Sequence, residues 1–228
     1  MNGNADMIKG VIFDMDGTLI DSMGSWSECD RRFLKENGIE PPPGISDVMK
    51  TLSMEECARY FIDLGVNMEP QKITDRIEEM VKDEYATSIP LKPYVTETLD
   101  TLDRFGIPYC IATANYRTLT DTILKRFGIY DRFKFIYTCE ENGIKKDDPE
   151  FFGKVCALLG TEKESTAVVD DALHCIESAK GAGFFTAAIF DSGNADWKKT
   201  SETADIAADD LRGFTEFIKA QRKGDDVI

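Results

Sequence analysis

The sequence predicts an α/β fold: a Rossmann-like parallel sheet with helices on both faces, joined to a small unit made only of helices. Three observations predict it. Short apolar runs of strand length recur along the chain, stretches of helical spacing stand between them, and one long segment carries helical spacing alone. With 228 residues the chain can form one core with a sizeable insertion, but falls short of two full domains.

The first run, IKGVIF at residues 8–13, ends in a charged, glycine-containing turn and reads as a buried strand delivering Asp14 to its C-terminal end. Further strands are expected over 109–112, 134–137, 166–169 and 185–189. Between them, Val95, Leu99, Leu102 and Phe105 precede Gly106, and Leu119, Ile123, Leu124 and Phe127 precede Gly128; each series is a helix stopped by a glycine. Strand and helix alternation implies parallel pairing, and in such sheets ligands bind outside the carboxyl ends of the strands.

Residues 22–89 lack strand patterning and are expected to form the helical insertion, with 1–21 and 90–228 making the core. The proline cluster Pro41, Pro42 and Pro43, and Pro70, divide the insertion. Trp26, Cys29, Phe33 and Leu34 form one apolar stripe; Ser53 and Glu56 make a capping box ahead of Cys57, Tyr60, Phe61 and Leu64; Ile73, Ile77, Met80 and Val81 repeat the spacing. At such spacing Met23, Trp26 and Phe33 read as core side chains rather than as the lining of a site. The C-terminal RKGDDVI reads as frayed.

The charge balance is 27 Lys plus Arg against 42 Asp plus Glu, a formal net charge of -15, which repels nucleic acid at long range. A small phosphorylated metabolite remains compatible, because a local lysine and a cation override that field over a few ångströms. Six cysteines without a CxxC pair fit a reduced, cytoplasmic protein. The polar stretch MNGNADMIKG has no apolar signal region, and no run approaches a membrane span.

The chemistry concentrates in Asp14-Met15-Asp16-Gly17-Thr18, where two carboxylates follow a buried strand, and in Asp170-Asp171, which follow another. Gathered at neighbouring strand ends, these acids would repel one another unless a divalent cation and a lysine stood among them. Carboxylate oxygens suit Mg²⁺, and the lack of a His or Cys cluster argues against zinc.

Here the chain resembles the haloacid dehalogenase superfamily, in its phosphatase and phosphomutase branch, which carries a helical cap after the first motif. DMDGTLIDS, residues 14–22, is similar to that motif. The resemblance implies that Asp14 attacks phosphorus to form an aspartyl phosphate, and that Asp16 protonates the leaving oxygen and then activates water. It implies metal ligation by Asp14, by Asp16 through its backbone carbonyl, and by Asp170 and Asp171, with the inner-sphere member of that last pair left open. Ile111-Ala112-Thr113-Ala114-Asn115 is similar to the second motif, making Thr113 a donor to a phosphoryl oxygen, assisted by the amides of Ala114 and Asn115; Gly17 joins the phosphate-binding set. Lys146, three residues before Pro149, fits the third motif better than Lys145 does, although Asp147 stands where the family often has proline.

The expected activity is therefore Mg²⁺-dependent hydrolysis of a small phosphorylated metabolite by a monomer or weak homodimer. The alternative is a sugar-phosphate mutase of the β-phosphoglucomutase type; those enzymes carry a cap-side histidine soon after the first motif, and residues 23–28 contain none. A dehalogenase would have no use for Asp16, and a binding protein without catalysis is the third class. His174, the single histidine, stands near an expected helix start and reads as locally bonded or exposed rather than catalytic.

Overall fold

A computed structural model describes residues 7–49 and 52–222. In chain order it contains β1 (Gly10–Phe13), α1 (Met23–Glu36), α2 (Ile45–Met49), α3 (Met54–Asp63), α4 (Pro70–Thr87), α5 (Val95–Arg104), β2 (Tyr109–Thr113), α6 (Arg117–Arg126), β3 (Ile136–Thr138), α7 (Cys139–Asn142), α8 (Phe151–Leu159), β4 (Thr166–Asp170), α9 (Leu173–Gly181), β5 (Phe185–Ile189), α10 (Trp197–Thr203), β6 (Ile206–Ala208) and α11 (Leu211–Arg222). The polar start of the chain, residues 1–6, lies outside the described residues, as does all of the expected C-terminal fray except Arg222. That residue closes α11 and donates from Nη2 to the carbonyl of Ile8 at 2.8 Å.

All strand pairs are parallel, in the order β3-β2-β1-β4-β5-β6. The chain winds outward from β1 in one direction and then crosses over to wind the other way from β4, so a crevice opens at the carboxyl end of β1. Alternate β1 residues enter different cores: Val11 and Phe13 join the cluster that includes Leu99, Leu211 and Phe214, whereas Ile12 joins Phe151, Val155 and Cys175. Phe214 of α11 meets Phe13 edge-on at 6.2 Å. Burying each such side chain stabilises the fold by roughly 1.5–3 kcal/mol, which explains why a central strand carries no polar face.

The sheet has one strand more than the sequence indicates. β6 is three residues long, and Ile206, Ala207 and Ala208 are half-buried or exposed, so this edge strand has no apolar run to advertise it. The expected strand at 134–137 forms two residues later; Lys134 donates its amide to Tyr109 at 2.9 Å before the regular pairing begins.

Helices α1, α3 and α4 pack on one another, with Phe33 and Phe61 in edge contact at 4.8 Å. The capping box forms as read: the Ser53 amide donates to Glu56 Oε2 at 2.9 Å and the Glu56 amide to Ser53 Oγ at 3.4 Å. The chain leaves the sheet and returns to it side by side, since Asp21 donates to Pro90 at 3.0 Å and Lys92 to Leu19 at 2.9 Å. Among the described residues no helix is long and apolar enough to cross a membrane.

Candidate active site

The register of the central strands places the acidic residues. Phe13 pairs with Val169, and the Asp14 amide donates to the Val169 carbonyl at 2.9 Å, so Asp14 stands beside Asp170 where both strands end. Lys146, buried in the loop after α7, bridges them: its Nζ lies 2.6 Å from Asp14 Oδ1 and 2.7 Å from Asp170 Oδ2. The other Asp170 oxygen accepts the Ala172 amide at 2.9 Å. Burial alone would lower the Lys146 pKa, but the charges of Asp14 and Asp170 outweigh it and hold the ammonium well above the usual lysine value.

One lysine does not balance three acids. Burial pushes the Asp14 carboxyl up to about 7, with Lys146 pulling it down and Asp170 and Asp16 adding to the rise. Burial, then the charges of Asp170 and Asp14, drive Asp171 well above the ordinary carboxylate range. Oxygens of Asp14, Asp170 and Asp171 all lie within 4.8 Å of one another. Three buried carboxylates with surplus negative charge and oxygen donors only are a donor set that fits a hard divalent cation such as Mg²⁺.

Gly17 explains how Asp171 gets so close. Its φ of +82° favours glycine, and a Cβ there would sit 2.6 Å from Asp171 Oδ2. Its amide donates to the Ile20 carbonyl at 2.9 Å. Thr18 Oγ1 donates to Asp171 Oδ1 at 3.2 Å, and Asn194 Nδ2 holds the Asp171 carbonyl at 2.6 Å.

The Asp16 carboxylate does not join the cluster of three. Its Oδ1 accepts Ser22 Oγ at 2.6 Å, Trp26 Nε1 at 3.3 Å and the Tyr85 hydroxyl, and its Oδ2 accepts Asn115 Nδ2 at 2.7 Å. The Tyr85 oxygen in turn accepts Trp26 Nε1 at 2.8 Å and Asn115 Nδ2 at 2.7 Å, so its donor and both acceptor sites are filled. Burial, reinforced by the Asp16 charge, drives the Tyr85 phenol well above 10 and keeps it a donor.

Thr113 is buried at the end of β2. Its Oγ1 accepts the Asn115 amide at 3.0 Å. The Asn115 side chain ties Asp16 to Tyr85. Ala114 is exposed on the cavity wall. Lys145, one residue from Lys146, points the other way, to Glu56 of α3 at 2.5 Å.

A cavity of about 360 Å³ opens above the carboxylates and runs between the sheet end and the inserted helices. Met23 and Trp26 line it, Trp26 while also packing against the core, and Phe33 is fully core. A helical stripe can face a cavity as readily as a core, and periodicity alone does not separate the two. Tyr85 gave no sequence signal at all, because nothing local links it to Asp16. His174 is exposed and lines the cavity on α9, with Nε2 3.3 Å from Cys175 Sγ.

Fold and site together define a Rossmann-like α/β enzyme with a cation-ready acidic pocket at the sheet's switch point. The chain belongs to the haloacid dehalogenase-like hydrolase family, whose model matches residues 11–189. It is 25% identical over 186 residues to the N-acetylmuramic acid 6-phosphate phosphatase of Pseudomonas aeruginosa, covering 80% of this chain and 81% of that one. It is 29% identical over 187 residues to the pyrophosphatase PpaX of Halalkalibacterium halodurans, covering 80% and 83%. In structure it is similar to the β-phosphoglucomutase of Clostridium difficile, with a TM-score of 0.77 at 19% identity over 97% of this chain and 100% of that one, a likeness of fold.

Proposed function

We propose that this chain is a Mg²⁺-dependent phosphatase that hydrolyses a small phosphorylated metabolite through an aspartyl phosphate on Asp14. The observation that carries the proposal is the pairing of Asp14 with a buried Lys146 beside two further buried acids, at the switch point of the sheet where a cavity opens. Asp14, Asp170 and Asp171 would hold the cation, together with the backbone carbonyl of Asp16. When bound, Mg²⁺ would supply Lewis-acid charge to offset repulsion between a phosphate dianion and the acids around it.

The remaining roles follow from the side chains. Asp14 attacks phosphorus and the ester oxygen departs with a proton from Asp16; Asp16 then takes a proton from water as the acyl phosphate is hydrolysed. Thr113 donates to a phosphoryl oxygen, and the Lys146 ammonium offsets charge on both the phosphate and Asp14. Residues 22–89 act as the cap, keeping bulk water from the phosphoryl group and selecting the leaving alcohol.

The mutase reading has less support, because the single histidine stands on α9 of the core rather than on the inserted helices. A cytoplasmic location belongs to the same proposal, supported by six free thiols, five of them buried. The test is release of inorganic phosphate from a panel of phosphate monoesters, including a hexose 1-phosphate, with Mg²⁺ and with excess chelator. Release with Mg²⁺ that stops on chelation is the expected result; isomerised hexose phosphate without release would favour the mutase.

A further inference from the structure

The roof of the cavity is chemically unlike its floor. Trp26, Met49, Leu52, Met54, Phe61 and Ile77 give it an apolar lining. Two acids of the inserted helices also line it, the exposed Asp47 of α2 and Asp30 of α1; Asp30 is only 8% exposed and has no hydrogen-bond or ion-pair partner among the described residues. The hydroxyl oxygen of Ser46, on the same cavity, is likewise buried without a partner. Buried polar groups in folded proteins are nearly always satisfied, so a largely buried acid without a protein partner and an unsatisfied hydroxyl on one cavity point to a ligand there.

Resting on the phosphatase reading above, we propose that the leaving group of the natural substrate is an alcohol with an apolar body that ends in an ammonium group, which pairs with Asp30. An ammonium fits better than a hydroxyl, because a buried carboxylate in an apolar wall gains most from a full opposite charge with hydrogen-bond donors. A polyhydroxylated sugar fits less well: Ser27, Ser46 and Thr74 could bond some of its hydroxyls, but others would be desolvated against Met49, Leu52, Met54 and Phe61. The length follows from helix geometry. Trp26 touches Asp16, and Asp30 lies one turn further along the same face of α1, so ester oxygen and amine stand roughly 6 Å or more apart.

The same burial raises the Asp30 pKa to about 7, which is consistent with a carboxyl that a cationic partner would stabilise.

The test compares three isosteric esters: 4-(aminomethyl)phenyl, 4-(hydroxymethyl)phenyl and 4-ethylphenyl phosphate. The wild type should show kcat/KM at least about tenfold higher for the amine than for either neutral ester, and in Asp30→Asn that ratio should fall to about one. Equal kcat/KM values in the wild type, which need no variant to interpret, or an amine preference retained in Asp30→Asn, would overturn the inference while leaving the phosphatase reading intact. If no ester is hydrolysed the phosphatase reading fails instead, and calorimetry on the free phenols decides the site. There, 4-(aminomethyl)phenol binding no tighter than 4-ethylphenol would overturn it.

Discussion

The floor and the roof of the cavity are built on opposite principles. At the floor, four charged side chains from separate strands and loops are buried within contact of one another, and each position is fixed by strand register, a backbone amide or a neighbouring ion. On the roof, apolar side chains from the inserted helices surround Asp30, which has no partner among the described residues. On the proposed function the floor would bind what all substrates share, a phosphate and its cation, and the roof would select what differs; the Trp26-Tyr85-Asn115 network on Asp16 is where the two meet.

The contrast is sharpest for Lys146. Lys146→Ala leaves Asp14 and Asp170 buried without their ammonium, which should lower kcat by roughly 10²–10³ and destabilise the fold by about 3 kcal/mol. Steady-state kinetics and chemical denaturation check both, and a change under threefold in kcat would separate the lysine from the chemistry.

On the roof, Asp30→Asn should stabilise rather than destabilise at high pH. A carboxyl whose folded pKa is raised binds its proton more tightly when folded, so wild-type stability falls as pH rises from about 4 through about 7. The variant should lack that fall, gaining on the order of 3 kcal/mol relative to wild type between pH 4 and pH 8. Denaturation midpoints across that range decide it; parallel pH profiles would mean that Asp30 is not buried in solution.

At the junction, Tyr85→Phe removes one donor from Asp16 and leaves the ring in place. We expect about a tenfold loss in kcat for alkyl esters, whose leaving oxygen needs a proton, and a smaller loss for aryl esters. An equal loss for both would indicate that Tyr85 does not act through Asp16.

The smallest effect is expected one residue from the largest. Lys145 pairs with Glu56 on the surface, where the lysine, chiefly through its hydrogen bond, lowers the Glu56 pKa to about 2. Lys145→Ala should change stability by less than about 1 kcal/mol, less still in high salt. A loss matching that of Lys146→Ala would erase the distinction between the two lysines.

These differences also explain what sequence could reveal. Asp14 and Asp170 were legible because each follows an apolar run of strand length and parallel pairing has few ways to place such ends, whereas Lys146 was legible only through its spacing from Pro149 in a motif the chain resembles. The helices of the insertion were legible too, through the Ser53 box and the Phe33 and Phe61 stripes. Which side of those helices faces a cavity was not: Trp26 has the same spacing as a core residue, Asp30 looks like any charge on a helix, and Tyr85 meets Asp16 across 69 residues of chain. β6 escaped because an exposed edge needs no apolar run.

The central claim is that Asp14 carries the phosphoryl group, and rapid quenching of the enzyme during turnover, followed by mass spectrometry of its peptides, addresses it directly. The phosphoryl group should be found on the peptide bearing Asp14, and Asp14→Asn should neither acquire it nor turn over. A phosphoryl group recovered on another residue, or an Asp14→Asn variant that hydrolyses substrate at the wild-type rate, would contradict the account.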